Sequence, residues 1–162
     1  MENKISLYHK LWAPWRSRYI RLPNKSKPCI FCVKPKAKQD RKNYIIERGE
    51  SCYCILNIFP YNNGHVMIVP YRHIGELADL DKKEILELIQ LACVMQKRLK
   101  KLRPFAYNLG LNLGLDGGAG FKDHLHLHMV PRWRGDTNFM PVIAGTKVIS
   151  QSLDALYEIL RK

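Results

Sequence analysis

The chain has no long apolar run, and its first residues do not form an export signal. No stretch of the 162 residues approaches the roughly 20 consecutive apolar positions that a membrane-spanning helix needs. Residues 1–21 are charged and aromatic and lack the apolar centre of a signal peptide. We therefore expect a soluble, cytoplasmic protein with no membrane partner.

Acidic residues are few. The 14 Asp and Glu residues oppose 27 Lys and Arg, which gives a formal net charge of +13 and an isoelectric point near 9.7. Such a charge attracts polyanions, among them nucleotides, nucleic acids and anionic membranes, but it does not choose between them. Because much of the charge is lysine spread over the N-terminal third, we expect a solvated basic surface and not a nucleic-acid partner.

A disulfide framework is not expected either. The cysteines number five, which is odd, and no export signal accompanies them, so reduced thiols or metal ligands are favoured. Cys29 and Cys32 form the one informative pair. Cys52, Cys54 and Cys93 read as core residues.

The length and composition fit one domain. A chain of 18.9 kDa with 46% hydrophobic residues can fill a single core. We expect one domain over residues 1–162, divided into an arm with the cysteine pair (1–42), a catalytic core (43–135) and a C-terminal extension (136–162).

Hydrophobic periodicity predicts an α+β fold with a mostly antiparallel five-stranded sheet, one long helix and a C-terminal helix. Asp81 and Glu84 form a capping box that opens the long helix, Pro104 follows its end, and Ser152 caps a helix through Leu160. The stripe predicted to face the core of the long helix comprises Ile85, Leu88, Ile89, Ala92, Met95, Leu99 and Leu102. Strands are predicted at 44–47, 52–58, 65–69, 105–113 and 124–130, with a further one within 139–149.

Three histidines alternate with hydrophobic residues near the C-terminus: His124, His126 and His128. On a strand, alternate side chains point to opposite faces, so the three imidazoles share one face while Leu125, Leu127 and Met129 pack inward. Simple packing of all three is disfavoured, because each ring has two nitrogens that need partners.

Such a row supports two kinds of chemistry. A neutral imidazole nitrogen can attack phosphorus and carry the transferred group, while a neighbouring ring assists the leaving group. Alternatively, histidines at alternate strand positions are frequent metal ligands. The glycine-dense loop 114–120 precedes the row, and its backbone amides can approach an anion closely, which suits a phosphate ester.

The row and its flanking motifs resemble the histidine triad (HIT) superfamily of nucleotide hydrolases and transferases. Residues 124–130 fit its His-φ-His-φ-His-φ-φ signature, where φ is hydrophobic, at every position. The bacterial diadenosine tetraphosphate phosphorylase or hydrolase branch is the most similar part of that family. Nearly the whole chain carries the similarity, through the segments 11–15, 29–32, 56–57, 62–70, 72–73, 131–133 and 135–139.

The resemblance implies a role for each residue of the expected catalytic group. His126 would attack the α-phosphorus and be transiently nucleotidylated. His128 would bond the phosphate and assist the leaving group, and His65 would complete the cluster. For nucleotide binding, it implies Asn57 at the ribose, Asn112 near the phosphates, and Ile30, Phe31 and Ile55 as apolar walls of the base site.

The chain departs from many relatives just before the row. It has Gly120 and Phe121 where many relatives have Gln or Ser that bonds phosphate oxygens. Phosphate contact here would come from backbone N–H groups, as at Gly120, or from Lys122.

By the same resemblance, Cys29, Cys32, His73 and His124 would hold a structural zinc ion. With four protein ligands the site would be closed, so the ion would not activate water. We expect no organic cofactor.

The function implied is cleavage of dinucleoside polyphosphates, chiefly diadenosine tetraphosphate, through an AMP–His126 intermediate. Phosphate would release ADP and ATP, whereas water would release AMP and ATP. Three alternatives remain: an adenosine phosphoramidase that uses the same residues, a nucleotide- or RNA-binding module with vestigial catalysis, and a catalytic metalloenzyme. Family members usually pair into a homodimer, so we expect at least a dimer.

Overall fold

Five antiparallel strands form one sheet, which helices cover on both faces. The computed structural model describes residues 28–138, 143 and 147–162. Along the chain run α1 (Ile30–Lys36), α2 (Asp40–Asn43), β1 (Ile45–Arg48), β2 (Cys52–Leu56), β3 (Val66–Pro70), α3 (Lys82–Leu99), β4 (Ala106–Leu111), β5 (Leu127–Arg132) and α4 (Leu153–Arg161). The strand order is β1-β2-β3-β5-β4, and every pairing is antiparallel, so the predicted fold class is confirmed.

The main core lies between the sheet and helices α3 and α4. Burying each large apolar side chain there contributes roughly 1.5–3 kcal/mol to folding. The caps predicted for both helices are confirmed, since Asp81 and Glu84 form the reciprocal capping box and Ser152 Oγ accepts the N–H of Ala155. Fully buried members include Cys54, Val66, Ile68, Met95, Leu99, Leu156 and Leu160.

A smaller core lies on the opposite face, under α1. It comprises Phe31, Ile45, Tyr53, Ile55, Met67 and Val69. Because strand side chains alternate, β2 and β3 supply both cores. The three histidines of the row face this second side, while Leu125 and Met129 belong to the main core, as the alternation predicts.

The buried stripe of α3 differs from the predicted one. Leu88, Ala92, Met95 and Leu99 are buried as expected, together with Leu91, but Ile85 and Ile89 are about half exposed, at 50% and 54%. The face of the helix that packs on the sheet is rotated away from these two residues and includes Leu91 instead. Cys93, which was expected in the core, is also exposed. Helix α3 therefore carries a second, uncovered apolar face of Ile85, Leu86 and Ile89.

The histidine strand begins later than predicted. Its ladder with β3 runs from Leu127, opposite Ile68, so His124 and His126 precede the paired residues. Pro70 ends β3, and because proline has no backbone N–H, the ladder cannot continue past it. The Leu125 N–H instead donates to the carbonyl of Ile74, 2.7 Å away, in the loop that follows β3.

Two predictions concern residues outside the described ranges. The N-terminal arm is not described up to residue 27, and the strand predicted within 139–149 is described only at 143 and at 147–149, where the last three residues are irregular. The polar, basic composition of residues 34–42 predicts a loop, but much of this segment lies in α1 and α2. In the described part of the chain, no helix combines the length and the apolar character that a bilayer crossing requires.

Candidate active site and metal cluster

The ring of His126 is oriented by the backbone of the same row. Its Nδ1 lies 2.8 Å from the carbonyl oxygen of His124. A carbonyl only accepts hydrogen bonds, so Nδ1 carries the proton and the neutral ring has its lone pair on Nε2. Burial lowers the pKa of His126, against the opposing effect of this hydrogen bond. This arrangement leaves Nε2 of His126 with the free lone pair that a nucleophile requires.

His65 and His128 form a second pair whose proton positions follow from a turn. The backbone N–H of Tyr61 donates to Nδ1 of His65 at 3.0 Å, so that nitrogen accepts and the proton of neutral His65 is on Nε2. Nε2 lies 2.9 Å from Nδ1 of His128 and donates to it. His128 in turn carries its proton on Nε2. It is thus an N–H donor beside His126, with ring centroids 4.8 Å apart.

Burial keeps His65 uncharged. Its pKa is lowered to about 3, first by burial and then by the neighbouring rings of His128 and His126. A cation here would be separated from water and would face two further imidazoles. The donor direction from His65 to His128 therefore holds throughout the neutral pH range.

Phe31 fixes the nucleophilic ring from the other side. It is 2% exposed, and its ring centroid lies 4.9 Å from that of His126 and 5.4 Å from those of His124 and Phe121. Ile55 is buried in the same small core, and Ile30 is partly buried at its edge. The three residues predicted as base-site walls thus lie together on the histidine face.

The residues predicted for ribose and phosphate are more spread out. Asn57 lies beside His65, with its Nδ2 3.3 Å from Nδ1 of that ring, and its Oδ1 accepts the N–H of Phe59. Asn112 is half-buried and its Nδ2 lies 3.5 Å from the carbonyl of Gly118 in the glycine loop. Gly120 is exposed, and the Lys122 ammonium pairs with Asp123 at 2.6 Å.

The four predicted metal ligands converge on one point. The ligand atoms of Cys29, Cys32, His73 and His124 all lie within 4.8 Å of one another. Nδ1 of His124 is 3.3 Å from Sγ of Cys29, 3.5 Å from Sγ of Cys32 and 3.2 Å from Nδ1 of His73. Ligands of a tetrahedral zinc ion with ordinary bond lengths are separated by about 3.3–3.8 Å, so the donor set fits zinc.

A hydrogen bond from the other ring nitrogen of His124 supports its assignment as a metal ligand. Its Nε2 donates to the carbonyl of Pro70 at 3.0 Å, which leaves Nδ1 with the lone pair that a metal needs. The cluster and the nucleophile are also joined directly, because the carbonyl of His124 orients His126. The cluster has no protein ligand missing for a tetrahedral ion, whereas a catalytic metal would need an open position.

The structure adds residues to which the sequence assigned no role. Tyr61 contributes its backbone N–H to His65, and its ring stacks on His128 at 5.5 Å. Asn62 and Asp136 bond each other behind the same turn. The sequence signals here were the family segments 62–70 and 135–139, and neither indicates a contact between the two segments.

Comparison with known proteins gives consistent matches. A family model described as HIT domain matches residues 38–135. AP-4-A phosphorylase of Mycobacterium tuberculosis (strain ATCC 25618 / H37Rv) is 41% identical over 152 residues, which cover 89% of this chain and 78% of that protein. The asymmetrical bis(5'-nucleosyl)-tetraphosphatase of Schizosaccharomyces pombe is 32% identical over 93 residues, covering 57% of this chain and 50% of that protein.

Solved structures share the fold. A zinc-bound histidine triad family protein from Mycobacterium smegmatis superposes with a TM-score of 0.66 at 22% identity, covering 82% of this chain and 90% of that one. A histidine triad nucleotide-binding protein from Sulfolobus tokodaii also gives 0.66, at 23% identity and with 82% and 89% of the two chains covered. At these identities the likeness extends to the fold and no further.

Proposed function

Because this chain belongs to the HIT domain family, we propose that it cleaves dinucleoside polyphosphates, chiefly diadenosine tetraphosphate, through a covalent AMP–His126 intermediate. Membership of the family confirms the resemblance indicated by the histidine row and its flanking motifs. The names of the relatives in M. tuberculosis and S. pombe support an enzyme that acts on such substrates. The single observation that carries the proposal is the Nδ1–H of His126 on the His124 carbonyl, which leaves Nε2 able to attack.

The reaction proceeds in two displacements. Nε2 of His126 attacks the α-phosphorus, a P–N bond forms, and the bond from phosphorus to the bridging oxygen breaks, so that ATP leaves. The His124 carbonyl holds the Nδ1 proton and stabilises the positive charge that develops on the ring. His128 donates its Nε2–H to the departing oxygen, and His65 holds His128 in the required tautomer.

An acceptor then releases AMP from His126. If inorganic phosphate attacks the adenylated histidine, the second product is ADP and the enzyme is a phosphorylase. If water attacks, the product is AMP and the enzyme is a hydrolase. The relative in M. tuberculosis is named as a phosphorylase, and it supports phosphorolysis here. An adenosine phosphoramidase would use the same residues and is the second proposal.

We propose that the metal cluster binds a structural zinc ion. The spacing of the four ligand atoms and the hydrogen bond from His124 Nε2 to the Pro70 carbonyl support zinc, as does the zinc-bound protein of the same fold. When bound, the ion would tie α1 and the loop after β3 to the residue whose carbonyl orients His126. The four protein ligands argue against a catalytic metalloenzyme.

A homodimer is also proposed. Strand β4 is an edge strand of the described sheet, and large apolar residues that are at least half exposed lie on α3 and in or just before β4. An exposed edge of this kind pairs readily with another chain. The residues are Ile85, Leu86, Ile89, Phe105 and Leu109.

Product analysis tests the proposed function. The protein is incubated with diadenosine tetraphosphate, with and without inorganic phosphate, and the nucleotides are separated by chromatography. ADP and ATP formed only with phosphate would support a phosphorylase, and AMP with ATP in either case would support a hydrolase. An intact dinucleotide in both incubations would overturn the proposal, and steeply salt-dependent RNA binding without turnover would favour a binding module.

A further inference from the structure

A chain of hydrogen bonds runs from β5 to the turn that controls His65. Arg132 donates to the Asp136 carboxylate through Nε at 2.7 Å and Nη2 at 3.1 Å. The same carboxylate accepts from Nδ2 of Asn62 at 2.8 Å and from the backbone N–H of Trp133 at 3.2 Å. Oδ2 alone accepts three of these hydrogen bonds, so Asp136 is the centre, or node, of the network.

Asn62 passes this anchoring on to the turn. Its side chain is buried, with the residue 7% exposed, and its Nδ2 also donates to the carbonyl of Pro131 at 3.1 Å. The backbone carbonyl of Asn62 accepts the backbone N–H of His65 at 3.2 Å. Residue 61, next to it, supplies the N–H that bonds Nδ1 of His65. The turn therefore closes around His65 from both sides while Asn62 holds it to β5.

The network joins two segments that are far apart in sequence. Asn62 and Asp136 are separated by 74 residues, yet both act on the geometry of the same pair of rings. Removing the link would leave the residues 61–65 held by fewer contacts. The Tyr61 N–H would no longer be fixed on Nδ1, and only the longer contact from Nδ2 of Asn57, at 3.3 Å, would still favour the proton of His65 on Nε2.

We propose that Asp136, with Asn62, is a positioning residue that fixes the turn 61–65 and thereby sets the tautomers of His65 and His128. Its kinetic consequence rests on the proposed function, since His128 acts on the leaving group only in that reaction. Neither residue touches the reacting atoms. The effect falls on kcat more than on KM, because the substrate contacts are unchanged while the donor in the transition state is displaced.

The test compares three substitutions. Asp136→Asn removes the charge of the node, and Asn62→Ala cuts the same link from the other side while leaving the Arg132–Asp136 pair in place. Asp40→Asn is the matched control, because Asp40 also accepts hydrogen bonds from Nε and Nη2 of an arginine, Arg48, away from the histidine row. Folding of each protein is verified by near-ultraviolet circular dichroism.

The first readout is the tautomer itself, measured by nitrogen-15 NMR of the histidine rings. We expect the native protein and Asp40→Asn to show His65 and His128 protonated on Nε2 only. Asp136→Asn and Asn62→Ala should show mixed tautomers. The titratable groups facing His65 are His128, His126 and Tyr61, none of them acidic. Admission of water to the loosened turn should therefore raise the pH midpoint of His65 by about one pH unit or more.

The second readout is turnover of diadenosine tetraphosphate. We expect kcat to fall about 10–100-fold in the two link variants, with KM changed less than about threefold. Unchanged tautomers and midpoints in a folded link variant would overturn the proposal, as would the same changes in Asp40→Asn. If Asp136→Asn does not fold, Asn62→Ala decides. If the native protein shows the tautomers but no turnover, the proposed function fails while the positioning role stands.

Discussion

At the scale of single residues, backbone groups decide the chemistry of the histidines. The His124 carbonyl places the proton of His126 on Nδ1, and the Tyr61 N–H places that of His65 on Nε2. In the described part of the site, no carboxylate bonds His65, His126 or His128. The positions of two peptide groups thus leave a lone pair on Nε2 of His126 and an N–H donor on Nε2 of His128, as the proposed reaction requires.

The buried His65 makes stability depend on pH. Its pKa is about 3 in the folded protein and about 6.5 when unfolded, so between these values the unfolded chain binds one proton more. Above pH 6.5, His65 is neutral in both states and does not lower the free energy of unfolding. As the pH falls below 6.5, the unfolded chain takes up the proton first, and the free energy of unfolding decreases. The expected slope approaches about 1.4 kcal/mol per pH unit. Urea unfolding between pH 7.5 and 5 measures it.

His65→Gln is the comparison for that measurement. The glutamine side chain does not titrate and can still donate to His128. The free energy of unfolding should therefore fall less steeply on acidification, by about 1.4 kcal/mol per pH unit at most. Equal slopes for the two proteins would show that His65 is not the group responsible.

At the scale of elements, helix α1 is linked to the two histidines of the row that precede β5, His124 and His126. Cys29 and Cys32 flank the start of α1, Phe31 between them packs on His126, and His124 belongs both to the cluster and to the row. The ordering of the nucleophile is thus linked to the metal cluster through Phe31 and through the His124 carbonyl.

Removal of zinc should therefore affect both folding and turnover. Elemental analysis is expected to give about one zinc ion per chain, and Cys29→Ser with Cys32→Ser should abolish it. The melting temperature should fall by more than about 5 °C, and kcat should fall while KM changes little. Cys93→Ser, at an exposed thiol outside the cluster, is the control. Native protein that contains no metal, or a double variant with native stability, would contradict the zinc assignment.

Much of the fold could be predicted from the sequence, because its elements have local signals. The five strands, the capping box at Asp81 and the cap at Ser152 all depend on neighbouring residues. Two of the predictions that were wrong share a reason, because each depends on tertiary packing that no local pattern encodes. The exposed Ile85 and Ile89 look like core residues in sequence, and the start of β5 depends on Pro70 in another strand.

The site divides in the same way. The alternation of the row predicts that three imidazoles share a face, whereas the convergence of Cys29, His73 and His124 came only from the family resemblance. The Asn62–Asp136 link joins a turn to a distant segment through side-chain hydrogen bonds. No local pattern encodes such a contact, so the sequence could not predict it.

At the scale of the whole molecule, large apolar side chains remain exposed among the described residues. The apolar face of α3 and the edge strand β4 leave large hydrophobic side chains exposed, and the proposed homodimer would bury them. Substitution there should separate the subunits without changing the catalytic rings.

The combined variant Ile85→Glu and Ile89→Glu tests this interface. Two charges in a buried patch are strongly unfavourable, so light scattering should give the mass of one chain, where the native protein gives two or more. Val33→Glu is the control, since Val33 is exposed to a similar degree, at 47%, on α1. A native protein that is already a stable monomer would contradict the homodimer.

The central claim is that His126 carries AMP during the reaction, and mass spectrometry of rapidly quenched enzyme tests it most directly. During turnover of diadenosine tetraphosphate, one adenylyl group should be found on the peptide containing His126, and His126→Asn should show neither the adduct nor turnover. With a substrate chiral at phosphorus, two displacements should give overall retention of configuration. Inversion of configuration, with no adduct at any quench time, would contradict the account.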